Sequence, residues 1–74
     1  MDAPEIKRRI GLAIRERRLE RGLTQEHVAF EAGINSTYLS DVERGKRNIA
    51  AVNLVQIAAA LGTTATELFR SAGL

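Results

Sequence analysis

Four short polar residues, Ser36, Thr37, Ser40 and Asp41, stand one, three and four positions apart, the spacing that gathers side chains onto one face of a helix. Tyr38 falls on the flank of that face. Hydroxyls and a carboxylate there can exchange hydrogen bonds with a polar partner. To make or break a covalent bond they would need an activating base or a metal. The chain holds one histidine, His27, and no cysteine. His27 belongs to the first turn of a helix opening at Thr24, where it reads as a surface residue. No nucleophile–base pair or Cys/His ligand set is present, so the expectation is no enzyme, no metal and no cofactor.

The charges around this face are segregated. The formal net charge is only +2, but residues 1–22 carry seven basic against four acidic side chains. Residues 23–43 carry no Lys or Arg against Glu26, Glu31, Asp41 and Glu43. Arg44, Lys46 and Arg47 then follow within four positions. Short hydrogen-bonding groups between two basic blocks suit a helix that enters the major groove of a duplex.

Five helices are expected to hold that face in place, and the fold class is all-α. The first spans about 4–21, with Pro4 in its first turn and an apolar stripe of Ile6, Ile10 and Ile14. The next step along the stripe is Arg18, which needs a partner if it enters the core. The second helix, 24–32, has Thr24 as its N-cap and buries Val28, Ala29 and Ala32. Gly33 gives a tight turn into the third helix, 35–44, which is capped by Asn35 and buries Leu39 and Val42. The fourth, 50–61, has only Asn53 and Gln56 as polar residues and starts at Ala50 without a capping side chain. The fifth, 64–71, opens on a Thr64/Glu67 capping box and carries Leu68 and Phe69. Phe30 falls off the buried stripe of its helix.

A 74-residue chain is one domain that buries only about 60% of its unfolded surface, and it has neither disulfide nor zinc to staple it. A fourth helix that is apolar all round implies that part of it meets another subunit. Val52, Val55 and Ala59, with Phe69, are the expected interface. No apolar run is long enough to span a membrane and the N-terminus is charged too early for a signal peptide. A cytoplasmic, self-associating domain is expected.

The stretch from Leu23-Thr24-Gln25 through Ala29, Gly33 and Tyr38-Leu39-Ser40 to Glu43-Arg44-Gly45 resembles the helix-turn-helix family of lambda repressor, Cro and the xenobiotic-response-element-type bacterial regulators. The likeness runs from about Ile10 to Phe69 and is strongest to small stand-alone members such as restriction–modification controller proteins. It implies a five-helix, lambda-repressor-like fold and a homodimer that binds an inverted repeat in double-stranded DNA. It also implies roles for matching positions. Ser36, Thr37 and Asp41 would meet base edges. Arg17, Gln25, Asn35, Tyr38, Ser40, Arg44, Lys46, Arg47 and Asn48 would meet the sugar–phosphate backbone. Arg18 and Glu43 would form the family's structural ion pair. The acidic residues Glu26 and Glu31 read as a solvated surface, or, in an activator, as a patch that would contact RNA polymerase. Ser36 is shorter than the residue many relatives carry there, so DNA shape gains weight in recognition. A different class, an antitoxin-like protein-interaction module, would use the fourth helix, Phe30 or Phe69 against another protein.

Overall fold

A computed structural model describes all 74 residues. Its elements are α1 (Ala3–Glu20), α2 (Gln25–Ala32), α3 (Ser36–Glu43), α4 (Ala51–Ala60) and α5 (Ala65–Ser71). Each differs from the sequence expectation by at most a residue or so at an end. The start of α1 is set by Asp2, whose carboxylate accepts the Glu5 N–H at 3.0 Å. Thr24 and Thr64 cap α2 and α5 in the same way, through His27 N–H and Glu67 N–H. Ala50 caps α4 with no side-chain hydrogen bond, as its residue type requires.

The turn between α2 and α3 determines how the second of these helices is presented. Gly33 sits at φ 70°, in the left-handed region, and Ile34 N–H closes back on the Ala29 carbonyl at 2.9 Å. α2 also packs on α4, and α1 spans the back of the molecule, touching both α3 and α5. Ile14, Val28, Leu39, Val42, Ile57 and Leu61 are the large side chains sealed completely inside. The Ile6/Ile10/Ile14 stripe grades from rim to core, with only Ile14 fully covered.

Gly11 shows why α1 can lie so close to α3. A methyl group on Gly11 would stand 2.2 Å from the Val42 carbonyl oxygen and 2.8 Å from that of Glu43. Main chain passes main chain here, and only glycine leaves the room. The opposite end of α1 is tied to α4. Arg17 and Arg21 donate to the Leu61 carbonyl at 3.4 and 3.2 Å, and Arg17 also reaches the Gly62 carbonyl at 3.3 Å. These cations satisfy orphan carbonyls at the negative end of the α4 dipole.

α4 divides into two faces despite its apolar sequence. Leu54, Ile57 and Ala58 are buried, while Val52 and Val55 remain 68% and 59% exposed. Ala59 continues the exposed row, and Phe69 on α5 is 39% exposed. No helix is long and apolar enough to cross a membrane.

Candidate nucleic-acid interface

Asn35 fixes the first turn of α3 by accepting Thr37 N–H at 2.7 Å and Tyr38 N–H at 3.4 Å through Oδ1. Its amide nitrogen is left to face a partner. Ser36 and Thr37 are exposed beside it, and Ser40 is half-buried one turn on. These three line a polar concavity with Arg15, Arg18, Thr24, Gln25, Glu26, Glu43 and Arg44, in which Leu23 is the only apolar wall. A surface of this composition has little hydrophobic reward to offer a small molecule, and it has the donors and cations a polyanion needs.

The floor of the concavity is the ion pair. Arg18 Nε and Nη2 donate to the two Glu43 oxygens at 2.8 and 2.9 Å, while Nη1 donates to the Leu23 carbonyl at 2.9 Å. The hydrogen bond to Glu43 raises the guanidinium pKa further above its ordinary range, so Arg18 stays charged. Gln25 Nε2 donates to Glu43 Oε1 at 3.1 Å. The amide expected to hold a phosphate thus spends one N–H inward and keeps its other for an outside acceptor. With these three donors the Glu43 charge is compensated before any phosphate approaches.

Asp41 does not stand free on the reading face. Its Oδ1 accepts from Arg44 Nη2 at 2.6 Å, so a carboxylate expected to face a base is coupled to a cation expected to face the backbone. The remaining flank is organised by Tyr38. Its hydroxyl accepts from Asn53 Nδ2 at 3.2 Å and donates to the Asn48 carbonyl at 3.5 Å. The Arg47 guanidinium lies over its ring, 5.1 Å from the centroid. Lys46, Arg47 and Asn48 are exposed in the loop between α3 and α4.

Arg17 is not brought to this surface. Rotation by about 100° per residue along a helix separates Arg17 from Arg18, and its guanidinium is occupied at Leu61 and Gly62. Arg15, three positions before Arg18 and on its face, lines the concavity instead. That 15/18 spacing was the available signal. Asn53, which the sequence offered only as a polar exception in α4, is the other residue missed.

A short helix braced by a second across a glycine turn, with polar groups outward and cations on both flanks, defines a helix-turn-helix DNA-binding protein. The chain belongs to the Cro/C1-like helix-turn-helix family, whose profile matches residues 14–68. It is similar to the control protein C.MunI of Mycoplasma sp, with 44% identity over 66 residues, covering 88% of this chain and 89% of that one. Control protein C.BamHI of Bacillus amyloliquefaciens shares 39% over 64 residues, covering 85% and 79%. The crystal structure of the restriction-modification controller protein C.AhdI from Aeromonas hydrophila superposes with a TM-score of 0.83 at 41% identity, covering 85% of this chain and 96% of that one. The protein is a helix-turn-helix transcription regulator, similar over most of its length to proteins of the controller type.

Proposed function

We propose that this regulator is a controller protein that binds an inverted-repeat operator as a homodimer. The observation that carries the reading is the α3 surface, where Ser36, Thr37 and Ser40 face outward over a compensated ion pair. Ser36, Thr37 and Asp41 meet bases, the last together with Arg44. Gln25, Asn35, Tyr38, Ser40, Lys46, Arg47 and Asn48 meet the backbone, with Arg15 in place of Arg17. The exposed row Val52, Val55 and Ala59, with Phe69, supports a two-fold interface. In such a dimer the two α3 helices enter successive major grooves, about 34 Å apart. Glu26 and Glu31 flank Phe30, which is 81% exposed on α2, and this outward surface supports contact with RNA polymerase at a promoter.

The test is selection of bound sequences from a random duplex library by the purified protein. Enrichment of an inverted repeat with half-sites one helical turn apart is the expected result. The exposure of Phe30 and of the α4 row favours a second reading, an antitoxin-like module that covers another protein. Folded protein that enriches no sequence would overturn the controller reading in favour of that one.

A further inference from the structure

The loop that carries Arg47 packs Ile49 against the core but has few polar ties of its own. The N–H groups of Arg47, Asn48, Ile49 and Ala50 make no hydrogen bond to main chain, and Ala50 brings no capping side chain. Yet this loop presents two of the cations on the α3 flank. Its polar tie is the Tyr38 hydroxyl, which donates to the Asn48 carbonyl within the segment and accepts from Asn53 in the helix beyond it. Asn53 is the third residue of α4, where a polar side chain commonly turns back to cap its own helix. Here it reaches across to α3.

We infer that Asn53 is a positioning residue for the DNA grip: from α4 it fixes the Tyr38 phenol, which holds the Asn48 carbonyl and carries the Arg47 guanidinium on its ring. The inference rests on the DNA-binding reading above. Its physical basis is geometric. A phenol has one proton to donate, and an amide N–H on its oxygen leaves that proton directed at Asn48. Without Asn53 the hydroxyl turns to water, the loop loses its polar tie, and Arg47 is no longer held where it meets phosphate. The α4 helix thereby joins the DNA surface on one side and presents Val52 and Val55 on another.

The test compares the full-length protein with Asn53→Leu, which keeps the size and removes the amide, and with Asn53→Gln, which keeps an amide donor. Tyr38 is the only tyrosine and there is no tryptophan, so its fluorescence reports this site alone. Asn53→Leu is expected to make Tyr38 more accessible to iodide in the free protein, with an unchanged circular dichroism spectrum. On the duplex selected by the wild type, it should bind about tenfold more weakly, with a slope of log affinity against log salt reduced by about one, the mark of one lost phosphate contact. Asn53→Gln should recover part of both. In a double-mutant cycle with Tyr38→Phe the two losses should not add. Unchanged quenching of Tyr38, or an unchanged salt slope on a duplex the wild type binds, overturns the positioning role and leaves the DNA reading intact. Failure of the wild type to bind any duplex overturns both.

Discussion

Arg18 and Glu43, 25 positions apart in sequence, meet fork to fork with side chains only 10% and 2% exposed. The pair floors the concavity beside the outward face of α3 and ties that helix to α1. Removing one partner strands the other in a nearly dry site. Arg18→Ala is expected to cost about 3–5 kcal/mol in urea unfolding, a large share of the stability of a domain this small. The paired change Arg18→Met with Glu43→Leu should lose far less than either single change. An additive loss in that cycle would contradict the coupling of the pair.

Gly11→Ala sets two effects against each other. Replacing glycine inside an exposed helix stabilises by about 1 kcal/mol. Here the new methyl group meets main-chain oxygen, which cannot move aside as a side chain can. Overpacking of about 1–3 kcal/mol should win, so the urea midpoint falls. A midpoint at or above wild type would mean that α1 and α3 separate more freely than their packing implies.

Arg15→Ala and Arg17→Ala distinguish the two faces of α1. Arg15→Ala should weaken binding to all duplexes alike and lower the salt slope by about one. Arg17→Ala should leave the slope unchanged and lower thermal stability, because its guanidinium serves the α4 carbonyls. Thr37→Val, by contrast, should change which bases are enriched in a selection.

Glu5 gives a pH dependence with a definite sign. Hydrogen bonds from Arg8 and then Arg9 hold its carboxyl at about 2, against an ordinary 4.5. A depressed folded value means that the stabilisation is complete above the ordinary carboxylate range and is lost as pH falls toward 2. The melting temperature of Glu5→Gln should therefore lie below wild type at neutral pH, and the gap should close on acidification. Added salt should narrow it too, since the pair lies at the surface.

Val55→Asp should produce a monomer in sedimentation without loss of helicity, because Val55 is 59% exposed in the folded chain. In the proposed dimer two-fold symmetry applies the change twice, and each valine buried there contributes about 1.5 kcal/mol or more. Self-association should weaken by at least about 100-fold. Operator affinity should fall with it.

Much of this architecture is legible in the sequence because its signals are local. Thr24, Asn35 and Thr64 announce helix starts, and Gly33 announces the turn that presents α3. The need of Arg18 for a partner is written in the stripe it extends, and family resemblance supplies Glu43. What escapes is set by how helices cross. Gly11 looks like an interruption of α1 until the main chain of α3 arrives against it. Arg15 and Arg17 differ only by the rotation of α1 about its own axis, which the crossing point decides. Asn53 and Tyr38 are 15 positions apart in different helices, and neither has a sequence pattern that points to the other.

The ties from α1 to the far end of the chain also order events at the ribosome. Arg17 and Arg21 bond to carbonyls at Leu61 and Gly62, and Arg9 reaches Gly73. α1 is thus completed by turns made some forty residues or more after it. At about 5–20 residues per second of synthesis, several seconds pass before α1 meets those partners. A chain cut short before α5 lacks Leu68 in the core and the Gly73 carbonyl. Such a copy keeps the Gly33 turn and the Arg18–Glu43 pair but lacks part of the core that backs them.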